Sequence, residues 1–204
     1  MTQARPTPPP SLVYDLPSIV EKLDLLKLFP RAQPVEVELG SGDGSFLVEY
    51  AARHPQTNLI GVERFLGRLR KIDRKGRRAG LDNMRCIRLE AAYFVEFLLP
   101  RHSLQGIHVY FPDPWPKRRH HKHRLINQRF PQIAFQALVP GGVVWLRTDD
   151  AHYFAQIRAH FAASPFFRET DTPSGLAALV TDFERTFLQK GIPTLRAAYQ
   201  AVSG

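Results

Sequence analysis

Apolar positions along this chain recur with two periods, and their alternation lays out a series of elements. Val35-Glu36-Val37-Glu38-Leu39 alternates apolar and acidic residues with the two-residue period of a strand. Gly40-Ser41-Gly42-Asp43-Gly44 interrupts it, and Phe46, Leu47, Tyr50 and Ala51 follow at helical spacing. Asn58-Leu59-Ile60-Gly61-Val62 reads as a second strand ending in Glu63. A basic helix from about Phe65 to Ala79 comes next, with Phe65, Leu69, Ile72 and Ala79 as its buried stripe. Met84 to Leu89 is a third strand, ending in Glu90, and Ile107 to Phe111 is a fourth that runs into Asp113. A helix near Leu125 to Leu138 leads through Pro140-Gly141-Gly142 to a fifth strand, Val143 to Arg147, ending in Thr148-Asp149. Ahead of all these, Ile19, Leu23, Leu26 and Leu28 predict a helix over Ser18 to Leu28 with Ser18 as its N-cap. Strands alternating with helices predict a mostly parallel central sheet with helices on both faces.

Length and composition narrow the picture. The 204 residues, 44% hydrophobic, suit a single α/β domain. Its expected span is 12–204, with residues 1–11 as a disordered, proline-rich arm. No stretch approaches the ~20 apolar residues of a membrane span, and the N-terminus lacks the apolar centre of a signal peptide. The expected location is therefore the cytoplasm, with no membrane partner. Cys86 is the single cysteine, which excludes an internal disulfide and a cysteine-based zinc site. Three of the eight histidines fall in a basic run, where RNA contact or solvation is a better reading than metal binding, so no metal is expected. A formal net charge of +9 implies attraction to polyanions, nucleic acid first among them.

Chemistry concentrates where strands end. Glu38, Glu63, Glu90, Asp113 and Asp149 fall at or just past successive strand ends, and ligands of parallel sheets sit beyond those ends. The glycine turn does not match the dinucleotide spacing, because Ser45 stands where the third glycine belongs. Glu38 and Asp43 flank the turn and would repel a pyrophosphate, whereas the cationic methionine end of S-adenosylmethionine would be favoured. Glu63 follows Gly40 at close to the ~20-residue offset at which an acid takes ribose hydroxyls. Glu90 is placed for the adenine edge or its surroundings. In Phe111-Pro112-Asp113-Pro114-Trp115-Pro116, prolines stiffen the backbone around one carboxylate and one indole. Lys117-Arg118-Arg119-His120-His121-Lys122-His123-Arg124 follows at once. A second basic face, Arg64, Arg68, Lys71, Lys75 and Arg78, points outward on the predicted helix. Together these two segments suit phosphate contacts.

These motifs, with Thr181-Asp182-Phe183-Glu184, resemble the bacterial tRNA (guanine-N7)-methyltransferase family over about Val35 to Gln189. The resemblance implies a Rossmann-like class I methyltransferase fold, S-adenosylmethionine as cofactor and tRNA as partner. The implied reaction is methyl transfer to N7 of a guanine in the tRNA variable loop. It implies that Glu38, Gly40, Gly42, Glu63, Glu90 and Asp113 line the cofactor site, with Asp113 catalytic. Lys117, Asp149, Thr181, Asp182, Phe183 and Glu184 correspond to substrate-binding positions. Arg119, His120, His121, Lys122, His123 and Arg124 correspond to an RNA-contacting segment. The chain departs from the family pattern at Glu90, usually aspartate, at His123, commonly arginine, and at Asp182, commonly basic. Two other readings stay open here: methylation of an exocyclic amine, which Asp113-Pro114-Trp115 also echoes, and a non-enzymatic RNA-binding protein of the same fold. Monomer and homodimer are both compatible with the sequence.

Overall fold

The computed structural model of the chain describes residues 10–202. Its strands are β1 (Val35–Leu39), β2 (Asn58–Val62), β3 (Met84–Ile87), β4 (Leu104–Tyr110), β5 (Leu138–Thr148), β6 (Phe167–Thr170) and β7 (Leu195–Ala201). They form one sheet in the order β3-β2-β1-β4-β5-β7-β6. β1 to β5 run parallel, and β7 is antiparallel to both β5 and β6. The helices are α1 (Ser45–Arg53), α2 (Leu66–Arg78), α3 (Ala91–Tyr93), α4 (Phe130–Ala137), α5 (Ala151–Ala162), α6 (Ser174–Ala177) and α7 (Asp182–Gln189). α3 continues into a π-helical turn, Phe94–Leu98. Among the described residues, no helix is long and apolar enough to cross a membrane.

Every residue of β1 and β2 is buried, as parallel strands covered on both faces must be. Val35, Val37 and Leu39 face a core with Phe94, Leu98 and Phe130. The opposite face carries Leu59, with Phe46 and Leu47 of α1 and Leu69 and Ile72 of α2. The two-residue period of β1 therefore sends Glu36 and Glu38 inward on the α1 side. Glu36 is satisfied there: its Oε2 lies 2.8 Å from His108 Nε2, and His108 Nδ1 lies 2.8 Å from the Tyr110 hydroxyl. Burial pushes the Glu36 carboxyl up, but the neighbouring His108, Tyr50 and His54 together outweigh it and leave the pKa below its ordinary value. Burial also holds His108 below its ordinary value. At neutral pH the ring is thus uncharged, with Nε2–H donating to Glu36 and Nδ1 accepting from Tyr110. The order of strands reverses between β1 and β4, which opens a crevice at their carboxyl ends.

Several expectations change. No helix forms over Ser18 to Leu28. Ser18 Oγ accepts from the Val20 and Glu21 N–H groups in a turn, and only Leu25–Lys27 makes a 3₁₀ turn. Leu23 N–H donates to Leu98 O (2.8 Å), and Ile19 and Leu26 stay exposed. A backbone tie to a distant segment outweighs a short helical period, which is marginal by itself. On α2 the buried stripe is Leu69, Ile72 and Gly76, while Phe65 and Ala79 are exposed. β4 stops at Tyr110 because Phe111 has φ 51. α4 begins at Phe130 rather than Leu125, and β5 begins earlier, at Leu138. The chain after Ile192, in which no chemistry is legible, supplies β7. Of the expected arm 1–11, residues 1–9 lie outside the described residues. Ser11 at its end donates to Asp73, and Leu12 O accepts from Cys86 N–H on the β3 edge (2.8 Å).

Candidate active site

Beyond the carboxyl ends of β1 to β4 lies a cleft of about 400 Å³, within the size range of small-molecule sites. Glu38, Glu63, Glu90 and Asp113 all line it. Four strand-end acids thus converge, while Asp149, just past β5, is not among the lining residues.

The glycine turn forms one wall. Gly42 and Gly44 have φ 56 and 78, a region that side chains with a Cβ rarely adopt. A Cβ on Gly44 would also meet Ile72 at 2.8 Å, so glycine lets the start of α1 close on α2. Gly42 N–H donates to Glu63 Oε2 (3.0 Å), and Phe65 N–H donates to Glu63 Oε1 (2.8 Å). Glu63 therefore braces the turn, and each carboxylate oxygen keeps a further lone pair for a ligand. Asp43 receives a hydrogen bond from Lys75 Nζ (2.5 Å). Burial would raise the Asp43 pKa, but Lys75 lowers it below its ordinary value. Asp43 is thus half of an ion pair, and Lys75 is not a free member of the basic face. The carboxylate left beside the turn to disfavour a pyrophosphate is that of Glu63.

Glu38 is 4% exposed, and its Oε2 has no hydrogen-bond partner. Burial pushes its pKa up to about 8, with Ser41 and Arg147 opposing the rise and Asp43 and Glu63 adding to it. A buried polar atom left unpaired costs about 1–3 kcal/mol, which a donor entering the cleft would recover. Glu90 is exposed, and its Oε2 accepts from Tyr93 N–H (2.8 Å) as the N-cap of α3. A ligand with an ammonium group, ribose hydroxyls and an aromatic base fits these acceptors, so the residues present suit S-adenosylmethionine.

The proline–tryptophan loop closes the far side. Phe111 and Trp115 sit at φ 51 and 45, and Phe111 N–H donates to Arg147 O (2.8 Å). Asp113 stands exposed between them on the cleft wall. After Lys117, a 3₁₀ segment Arg118–His123 turns back, bringing His120 and His123 to 5.9 and 5.3 Å from the Trp115 ring. Trp115 and His123 line the cleft. Lys117, Arg119 and Lys122 are exposed, whereas His120 and His121 are half-buried. Arg124 departs from expectation: it is 2% exposed and turned inward, out of reach of RNA.

A segment the sequence leaves almost blank shapes the entrance. Arg147 is a lone charge in an apolar strand, and that was its only signal. Its guanidinium donates to Leu176 O (2.6 Å), to Leu179 O and to Glu184 Oε2 (3.0 Å), and lies 4.4 Å over the Tyr110 ring. Arg196 donates to the other Glu184 oxygen. These contacts pin α6 and α7 beside the cleft. Thr181 caps α7 by accepting from Glu184 N–H (3.0 Å), and Thr181 and Phe183 line the cleft. Asp182 is exposed, and its N–H donates to Ser45 Oγ (3.2 Å). Glu184, expected to touch substrate, is instead fully buried between two arginines. Glu184→Gln should destabilise the fold by about 1–3 kcal/mol, since an amide leaves guanidinium donors unmatched. Denaturant unfolding would show this, and an unchanged midpoint would remove the clamp from the account.

A family model described as "Putative methyltransferase" matches residues 32–197. The tRNA (guanine-N(7)-)-methyltransferase of Halorhodospira halophila (strain DSM 244 / SL1) is 38% identical over 174 residues, 83% of this chain and 75% of that protein. The protein of the same name from Nocardia farcinica (strain IFM 10152) is 37% identical over 177 residues, 80% of this chain and 66% of its own length. Among solved structures, a 30S ribosomal A1408 methyltransferase from an uncultured bacterium superposes with a TM-score of 0.62 at 15% identity, covering 88% of this chain and 93% of that one. At that identity the likeness is one of fold.

Proposed function

Because this chain belongs to the tRNA (guanine-N(7)-)-methyltransferase family, we propose that it methylates N7 of a guanine in the variable loop of tRNA, in the cytoplasm, with S-adenosylmethionine as donor. The observation that carries this reading is the meeting of Glu38, Glu63, Glu90 and Asp113 in one cleft beside Trp115 and His123. Bound S-adenosylmethionine supplies an electrophilic methyl group. Glu38 would take its ammonium, Glu63 its ribose hydroxyls, and Glu90 the neighbourhood of its base.

Guanine N7 carries a free lone pair and needs no deprotonation. Catalysis is then a matter of alignment and of charge. Asp113, on its stiff loop, accepts from guanine N1–H and the exocyclic amine, which aims N7 across the ring into the cleft. The same carboxylate favours the positive charge that develops on the purine. Trp115 walls the pocket or stacks on a base. Thr181 and Phe183, on the cleft wall, would touch the substrate, and the family resemblance extends that role to Lys117, Asp149 and Asp182.

Phosphates would be held along the rim of the cleft and beyond it, Arg64 and Arg68 standing on its wall. Arg64, Arg68, Lys71 and Arg78 are exposed on or beside α2, and the Arg64 and Arg68 guanidinium groups lie 4.5 and 5.3 Å from the Phe65 ring centre. With Arg119 and Lys122 they form two basic flanks. The test is to incubate the protein with bulk tRNA and labelled donor, then identify the modified nucleoside and its position. 7-Methylguanosine in the variable loop is expected, and a methylated exocyclic amine would overturn the reading. If at least four phosphates are engaged, tRNA affinity should fall on the order of 10²-fold between 50 and 200 mM salt. A flat salt response would remove the basic flanks from the RNA site.

A further inference from the structure

We propose that Arg124 is a positioning residue, which holds the Asp113–Trp115 loop in register for methyl transfer and does not touch RNA. The inference rests on the methyl-transfer reading above and adds a residue to it. Two non-glycine residues at positive φ, Phe111 and Trp115, bound the loop. Side chains with a Cβ rarely adopt this backbone region, and it persists only where surroundings enforce it. The Phe111 end is enforced from β5, through its N–H bond to Arg147 O (2.8 Å).

Arg124 enforces the Trp115 end. Its Nε donates to Pro114 O at 2.7 Å. That carbonyl shares a rigid peptide plane with the Trp115 nitrogen, so holding it holds one of the two planes whose relative rotation is φ at Trp115. The rest of the guanidinium anchors to α5. Nη1 donates to Gln156 Oε1, Nη1 and Nη2 lie 3.5 and 3.4 Å from His152 Nδ1, and the group sits 4.6 Å over the Tyr153 ring. Tyr153 is itself fully buried, and its hydroxyl accepts from Ile126 N–H (2.9 Å). Among the described residues no carboxylate lies within ion-pair distance of Arg124, although it is 2% exposed. A buried charge without a counter-ion is expensive, and here a loop carbonyl, an amide oxygen and an imidazole nitrogen satisfy it. Only a planar fork can bridge the loop to the helix in this way. Because Asp113 immediately precedes Pro114, any swing of this peptide displaces the carboxylate.

Arg124→Met keeps the stem against Tyr153 and removes every donor. Three quantities decide: kcat and KM for tRNA methylation, the salt dependence of tRNA affinity, and acrylamide quenching of tryptophan fluorescence. The other tryptophan, Trp145, is stacked on His108 within the sheet (4.7 Å) and serves as a constant background. The expected result is a kcat about 10²-fold lower, the scale of a ~1 Å misplacement. The KM for tRNA and the salt slope should stay near wild type, while Trp115 quenching rises. Arg124→Lys, whose donors all sit on one nitrogen and cannot span loop and helix together, should fall between. A wild-type kcat at saturating tRNA with a raised KM and a salt slope shallower by about one phosphate would make Arg124 an RNA contact and overturn the proposal. Should Arg124→Met not fold, Gln156→Leu removes the far anchor alone. It is expected to lower kcat about tenfold by loosening the same loop, and wild-type kcat and quenching in that variant would overturn the proposal. If the wild-type protein transfers no methyl group to tRNA, the functional reading fails. The strut is still decided, because unchanged quenching in Arg124→Met sinks it.

Discussion

Asp113→Ala should lower kcat for tRNA methylation by about 10³-fold or more while cofactor affinity changes less than about fivefold. The asymmetry follows from position. Glu38 and Glu63 are buried deep in the cleft, where with Glu90 they would hold the donor without Asp113. Asp113 is exposed on the wall, where only the acceptor base requires it. Removing it deletes both the hydrogen bonds that orient the purine and the negative charge that its developing cation needs. Asp113→Asn separates the two contributions. The amide keeps one acceptor and the size of the side chain, so an orienting role alone would leave Asn closer to wild type than Ala. Single-turnover methylation and calorimetry with S-adenosylmethionine measure the two quantities independently. Turnover within tenfold of wild type would remove Asp113 from the chemistry.

Glu38→Gln should act with opposite signs on binding and on stability. The Glu38 pKa is pushed up to about 8, from an ordinary 4.5, chiefly by burial. A carboxyl whose folded pKa is raised contributes stability that is complete below its unfolded value and is lost as pH rises through the folded value. At pH 9 the native protein therefore carries a buried, unpartnered carboxylate, which glutamine avoids. Glu38→Gln should be more stable than wild type at pH 9, by about 1–3 kcal/mol, and that advantage should shrink as pH falls below about 8 and vanish near 4.5. Cofactor binding runs the other way. Pairing with an ammonium requires the carboxylate, so donor binding below pH 8 releases a proton and weakens about tenfold per unit of falling pH. Above about 8 the donor's own α-amine deprotonates, so affinity peaks near pH 8. Glu38→Gln should bind the donor about 10²-fold more weakly at that pH, the loss expected for a buried charge-assisted bond. Calorimetry in buffers of different ionisation heat would detect the released proton. A wild-type affinity that is flat from pH 6 to 8 would show that Glu38 does not meet a cation.

Much of the candidate site was legible because its signals are local. Prolines at 112, 114 and 116 announce a stiff loop through covalent geometry, and an acid after each apolar run announces a strand tip. Glu36 and Glu38 show where that legibility ends. They share one alternating strand, and nothing nearby in the chain separates them. His108 takes up Glu36 from a neighbouring strand, while Glu38 opens into the cleft with one oxygen unpaired. The basic run fails in a similar way at its last residue. Arg124 continues a stretch of exposed charges, yet Gln156 and Tyr153, far along the chain, draw it inward. Glu184 follows the same logic, buried by Arg147 and Arg196.

Sequence alone determined the first five strands, the acids that end them and the loop that presents Asp113. Those features depend on hydrophobic period and on backbone restraint within a few residues, and both are properties of the chain itself. Tertiary structure decided which charges became internal struts, how α6 and α7 close the entrance, and that Ser18 to Leu28 is a strap of turns and not a helix. Each of these outcomes turns on whether a charge or a backbone group finds its partner among residues distant in the chain. The energy of burial belongs to the pair, so neither member carries it in its own neighbourhood.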